Sequence, residues 1–396
     1  MQQTGRRIGV IFIDGIHRNY LNFPKLTRLM STTLKSKSLM YKDYGEPADV
    51  VQITEECLPK CGNDQVSHFL FYCLFLLCIN FFLNNFTFII QVLVKWIYAP
   101  VNPADINTIQ GKYPSKPPLP AVPGNEGVGE IVATGCNTNQ FSVGDKVVPN
   151  GVNKGTWRTH GIYKAQDLFK INECMDTVEA SMLNVNPCTA YRMLKDFVQL
   201  KPGDTVIQNG GNSAVGQLVI QLCKIWGFKS VNVIRNRPEV QQLKDQLMDL
   251  GADVVLTEEE LRTTEIFKSK KLPKPQLALN CVCGKSALEV QRHLGHSGVM
   301  VTYGGMSREP LTIPASSLIF KNISFKGFWM TAWTNQNGDS EERCKMFDEL
   351  QQLFIKRELK APPYELVPLN NYKEAVTNAL KPGGGKNVKY ILDLTC

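Results

Sequence analysis

From Asp204 onward the chain alternates short apolar runs with amphipathic ones, and this order restricts the fold more than any other feature. Residues 204–209 read as a strand that runs into Gly210-Gly211-Asn212-Ser213-Ala214-Val215-Gly216, followed by a helical stripe of Val215, Leu218, Leu222 and Ile225. Strands are expected at 230–235, 253–256, 277–281 and 298–302, and helices at 238–250 and 285–294. Alternating strands and helices imply crossover connections, so this segment predicts a parallel, doubly wound sheet. Ahead of it, residues 39–41, 48–53, 92–98, 127–134 and 146–148 are strand-like and separated by turns such as Val143-Gly144-Asp145, which suits a small β-barrel. One helix is expected over 178–195. Further strands are expected at 323–329 and 390–394, with helices at 341–356 and 372–380. The fold class is α/β. Its expected divisions are a leader (1–37), a β-barrel domain (38–183), a parallel-sheet domain (184–325) and a return to the first domain (326–396).

Composition narrows the function classes. Of 396 residues, 43% are hydrophobic and 20% charged, enough to bury a sizeable core, and no short Gly/Pro period points to collagen or a solenoid. The formal charge of +8 is concentrated in residues 1–45, where eight Lys and Arg face only Asp14 and Asp43. The body is near neutral, so no nucleic-acid partner is expected. A basic leader with Thr27, Ser31, Thr32, Thr33 and Ser36 suits a mitochondrial presequence, with a disordered tail as the plainer alternative. Twelve Cys without a repeating spacing suit reduced thiols in the cytosol or the mitochondrial matrix, not a disulfide scaffold.

Residues 65–94 contain no Asp, Glu, Lys or Arg and are long enough to span a bilayer as a helix. A membrane anchor is one reading. The composition favours another: residues 66–91 hold seven of the 19 Phe, with Leu, Ile and Asn making up most of the rest, all encoded by T- and A-rich codons. The run starts Val66-Ser67, which GTGAGT encodes, and ends at Gln91, which CAG encodes. Those are intron ends. We read 66–91 as a translated 26-residue intron whose excision joins Gln65 to the strand starting at Val92, and expect no functional membrane span.

Gly210–Gly216 lies at the first strand-to-helix turn of the parallel-sheet segment, where backbone N–H groups and a helix N-terminus can hold a dinucleotide pyrophosphate. The spacing is Gly210-x-x-Ser213-x-x-Gly216, which a plain tight turn could also produce. About 20 residues on, where an NAD site would place an acid, the chain has Arg235-Asn236-Arg237. Two guanidiniums suit the 2′-phosphate of NADPH; a solvated basic loop is the alternative.

Several stretches together resemble a known family. Tyr44-Gly-Glu-Pro47, Pro100-Val-Asn-Pro-Ala-Asp105, Leu119-Pro-Ala-Val-Pro-Gly-Asn-Glu-Gly-Val-Gly129 and Val143-Gly-Asp-Lys-Val-Val-Pro149 resemble the medium-chain dehydrogenase/reductase superfamily. Gly155-Thr-Trp-Arg-Thr159, Val185-Asn-Pro-Cys-Thr-Ala-Tyr-Arg192, Val206-Ile-Gln-Asn209, Tyr303-Gly-Gly-Met306 and Lys326-Gly-Phe-Trp329 look like its mitochondrial trans-2-enoyl-thioester reductases. The resemblance covers 38–396 except 66–91. It implies a GroES-like catalytic domain, a Rossmann cofactor domain, NADPH as cofactor, an enoyl-CoA or enoyl-acyl-carrier-protein substrate, a homodimer and the mitochondrial matrix.

Zinc-dependent members of the superfamily need Cys and His ligands, but the corresponding stretches here are Asn102-Pro-Ala-Asp105 and Gly124-Asn125-Glu126, so no metal site is expected. The resemblance implies that Tyr113 donates a proton to C2 of the substrate and that Trp329 lies near the acyl channel. A phenol is protonated at neutral pH yet can protonate a strongly basic enolate. It places Asn186 at the nicotinamide. The remaining implied cofactor contacts are Asn212, Ser213, Ala214 and Val215; Arg235, Asn236 and Arg237; Tyr303, Gly304, Gly305 and Met306; Phe328, Trp329 and Met330; and Lys389. A zinc-free quinone or alkenal reductase and a non-catalytic NADPH-binding protein remain as alternatives. The intron reading is tested by sequencing the mature transcript. The expected message lacks the 26 codons, and their retention in the major form overturns the reading.

Overall fold

β1 (Leu34–Tyr41) and β2 (Val51–Leu58) form an antiparallel pair in the computed structural model, which describes residues 34–59, 91–135, 140–380 and 388–396. Pro47 opens the single helical turn Pro47–Val50 between them, because its fixed φ suits a first helical position and it has no N–H to lose. The strand expected over 48–53 therefore starts only at Val51. β1 begins inside the expected leader: residues 34–37 pair with 55–58, and the Lys37 N–H bonds to Thr159 Oγ1 at 3.0 Å. The rest of the leader, and the apolar run except Gln91, lie outside the described residues. Gln91 stands at the head of a strand, and excising 66–91 would put another glutamine, Gln65, in the position before Val92.

That strand, β3 (Gln91–Pro100), is the hub of the first lobe. It pairs antiparallel with β4 (Val128–Thr134), which leads through β5 (Lys146–Pro149), and its other neighbours include β6 (His160–Lys164). β7 (Leu168–Lys170) pairs with β5. Alternation along β3 sends Val92, Val94 and Trp96 into a core shared with Ile131, Val147 and Trp157. A Cβ on Gly129 would come within 2.4 Å of Val94 Cγ1, so β4 can cross β3 this closely only with glycine there. The Trp96 indole N–H donates to the Tyr163 hydroxyl at 2.9 Å, satisfying a buried donor.

The helix expected over 178–195 is two helices, Thr177–Ser181 and Asn186–Asp196. Pro187 has no N–H to offer the preceding turn, so it starts a new helix instead of continuing the old one. Beyond it lies the parallel sheet of β8 (Thr205–Asn209), β9 (Lys229–Ile234), β10 (Val254–Thr257), β11 (Leu277–Asn280), β12 (Val299–Thr302) and β13 (Ser324–Gly327). Their order is β10-β9-β8-β11-β12-β13. The chain works outward from β8 in one direction, then restarts on its other side at β11. A crevice opens at that reversal, above the C-terminal strand ends.

β13 runs across residue 326, where the return to the first lobe is expected, and the helix Glu341–Ile355 packs against both lobes, its Phe347 ring stacking on Phe169 of β7 at 5.0 Å. Met346, Phe347 and Leu350 share one core cluster with Leu194, Leu218 and Leu222. The chain rejoins the first sheet only at β14 (Tyr364–Pro368), parallel to β15 (Lys389–Asp393), which pairs antiparallel with β3. Among the described residues no helix is long and apolar enough to cross a membrane.

Candidate active site

β8 ends in a turn built for close approach. Gly210 has φ +63°, and a Cβ on Gly216 would stand 2.5 Å from the Gly210 carbonyl oxygen. Both glycines are therefore required by the backbone. Ser213 caps the helix Ala214–Trp226, its Oγ accepting the Gly216 N–H at 3.1 Å. Ala214 and Val215 occupy the first helical turn, where N–H groups have no intrahelical acceptor. The result is a cradle for an anion at the head of the helix. Asn209 ties this turn to the end of β11: its side chain donates to Asn280 Oδ1 at 2.8 Å and accepts the Cys281 N–H at 2.9 Å.

The other implied cofactor segments gather at the same edge. Arg235, Asn236 and Arg237 follow β9, and partial burial, with the charge of Arg235 adding to it, holds Arg237 below the usual guanidinium range. Two cations that repel each other offer a place to a phosphate. Tyr303 follows β12, its hydroxyl buried beside Cys281 and Ser213; burial pushes that phenol well above its ordinary range. Gly304 fits because a Cβ would meet the Cys281 carbonyl at 3.1 Å, Gly305 is next to it, and the Met306 N–H bonds to the same carbonyl at 2.9 Å. Phe328 packs edge-on against Phe197, and Met330 is buried at the start of the following helix. These residues fit a dinucleotide carrying a 2′-phosphate.

Tyr113 and Trp329, 216 residues apart, meet between the lobes. The Trp329 indole N–H donates to the Tyr113 hydroxyl oxygen at 2.6 Å, and the rings stand edge to face at 5.8 Å. The oxygen accepts from Trp329, so its own O–H proton remains free to be donated elsewhere. Trp329 is 38% exposed, which places the pair at an open surface of the cleft.

Below lies a buried polar network. Asn102 Nδ2 donates to Glu126 Oε2 at 2.6 Å, the Val185 N–H donates to Glu126 Oε1 at 2.6 Å, and Lys389 Nζ donates to Asn102 Oδ1. Asp105 takes the Asn102 N–H at 2.8 Å and the Asn125 side-chain amide at 2.8 Å. Burial pushes Glu126 up to about 7 and Asp105 up to about 6, against the opposing charge of Lys389 and their hydrogen bonds. Burial likewise lowers Lys389, and Glu126 and Asp105 pull it back. Among the described residues no group of three or more His, Cys, Asp or Glu is placed to hold a metal ion.

The structure thus brings together Tyr113 with Trp329, and Ser213 with Tyr303. Lys389 is joined to the carboxylate network, and Asn186, 8% exposed, follows directly on Val185 at that network's edge. In the sequence, Asn102, Asp105 and Glu126 stand out only as residues that replace metal ligands. Their joint role was not visible there, because nothing local marks two carboxylates as sharing one buried lysine.

Residues 90–173 match the family model for the alcohol dehydrogenase GroES-like domain, and 214–350 match that for zinc-binding dehydrogenase. The chain is 44% identical over 350 residues to the mitochondrial enoyl-acyl-carrier-protein reductase of Rattus norvegicus, covering 87% of this chain and 86% of the relative. The solved Etr1p/NADP/crotonyl-CoA complex matches with a TM-score of 0.79 at 32% identity, over 91% of this chain and 100% of that one. The Etr1p/Etr2p heterodimer of Candida tropicalis, a mitochondrial 2-enoyl thioester reductase, matches with a TM-score of 0.77 at 32% identity, over 91% and 100%. At this similarity, over nearly the whole of both chains, the protein belongs to the mitochondrial enoyl-acyl-carrier-protein reductases of the medium-chain dehydrogenase/reductase superfamily.

Proposed function

We infer that this chain is an NADPH-dependent reductase of trans-2-enoyl thioesters in the mitochondrion. The observation that carries the mechanism is the Trp329–Tyr113 hydrogen bond across the cleft. Bound NADPH supplies a hydride to C3 of the enoyl group, and the electron pair of the C2–C3 double bond moves onto the thioester as an enolate. Tyr113 gives its hydroxyl proton to C2, completing the saturated acyl thioester. The Trp329 N–H, already aimed at the Tyr113 oxygen, stabilises the phenolate left behind, which water then reprotonates. The glycine turn and the helix N-terminus would hold the cofactor's pyrophosphate, and Arg235 and Arg237 its 2′-phosphate. Asn186 and Lys389 border the nicotinamide end. The acyl carrier is CoA or acyl carrier protein.

A homodimer joined at the parallel sheet's edge belongs to the same reading. β13 has a strand partner on only one side, β12, within the described chain. Leu318, Ile319 and Phe320, just before it, are 51%, 70% and 76% exposed. An open strand edge beside exposed apolar side chains is the kind of surface a second copy covers.

Three outcomes are expected. Tyr113→Phe keeps the ring and removes the proton donor, so kcat should fall by about 10²–10⁴ while NADPH binding stays near normal. Wild-type turnover would assign the C2 proton to another source. Arg235→Ala with Arg237→Ala should cost about 1.5–3 kcal/mol in NADPH binding, roughly tenfold or more in KM, with NADH little affected. An unchanged preference between the two cofactors would remove these arginines from the site. In sedimentation, the protein should run as a dimer and Phe320→Glu as a smaller species; a wild-type monomer would overturn the dimer.

A further inference from the structure

We propose that Glu126 is a positioning residue for the nicotinamide end of NADPH, acting through the main chain at Val185 and through the Asn102–Lys389 pair. The inference rests on the reductase reading above.

Glu126 is completely buried, yet it serves neither as a surface charge nor as the reaction's proton donor. Burying a carboxylate is costly, and an apolar side chain could fill the space, so its retention calls for a specific task. Its two oxygens face different parts of the molecule. One takes the N–H of Val185, the residue that begins the helix Asn186–Asp196 of the parallel-sheet lobe. The other takes the Asn102 amide of the first lobe, and Asn102 passes the link to Lys389 on β15. The Val185 peptide is held from its other end too, since Thr189 Oγ1 donates to its carbonyl at 2.6 Å. One side chain therefore fixes Asn186 and Lys389, which come from different lobes, relative to each other.

The chemistry makes the carboxylate irreplaceable by its own amide. Both partners of Glu126 are N–H donors, so both of its oxygens must accept. A glutamine of the same shape has only one accepting oxygen and would turn its NH₂ against a second donor. Burial raises Glu126, and the lysine at the far side of Asn102 is the cation that opposes this; Asp105 is the other charge facing it.

The test uses NADPH itself as probe, because its emission reports the surroundings of the nicotinamide. In Glu126→Gln, emission of the bound cofactor should shift toward that of free NADPH, and kcat with crotonyl-CoA should fall on the order of 10–100-fold. The Kd for NADPH should rise less than about threefold, because the contacts to its phosphates are untouched. Asn102→Ala cuts the Lys389 link but leaves Val185 held, so it should shift the emission in the same direction by a smaller amount. Wild-type emission and kcat in the folded fraction of Glu126→Gln overturn the proposal. If that variant does not fold, the same result in Asn102→Ala overturns it. If the wild type binds NADPH but reduces no enoyl thioester, the reductase reading fails, while the emission comparison still decides the role of Glu126.

Discussion

Parallel pairing of β8 with both β9 and β11 is the constraint on which the rest depends. Because the strands run the same way, their carboxyl ends lie along one edge, and because the chain restarts beside β8, a crevice opens there. Segment after segment implicated in cofactor binding starts where one of these strands ends: 210–216 after β8, 235–237 after β9, 303–306 after β12 and 328–330 after β13. No residue in these loops had to find its neighbour independently. The sheet delivers them.

The catalytic lobe solves a different problem. Its interior keeps Asp105 and Glu126 away from water, beside half-buried Lys389, where unpaired charges would be prohibitive. Amides mediate between them, Asn102 above all: its side-chain oxygen accepts from Lys389, its side-chain N–H donates to Glu126 and its backbone N–H donates to Asp105. The network reaches Val185 and so couples the two lobes. The Tyr113 hydroxyl, the proton donor proposed above, sits apart from it and accepts the Trp329 indole N–H.

Two of the differences from the sequence pattern have a local cause. Pro47 and Pro187 were visible in the sequence, and reading both as helix starters would have removed the strand at 48–50 and divided the helix over 178–195. The position of Glu341–Ile355 had no such signal. It touches both lobes, meeting Leu194, Leu218 and Leu222 of the second and Phe169 of the first, and only the folded chain brings these together.

Sequence by itself determined the parallel sheet, the glycine turn and the basic pair after β9, because period, turn chemistry and charge are properties of neighbouring residues. The resemblance to known reductases implies roles for Tyr113, Asn186 and Trp329, not their geometry. Tertiary structure alone decided that the Trp329 N–H meets the Tyr113 oxygen across 216 residues, and that Glu126 faces Val185 across 59. The physical reason is that hydrogen bonds between distant segments depend on directions and distances of a few ångströms, which the folded sheets set and no local pattern encodes.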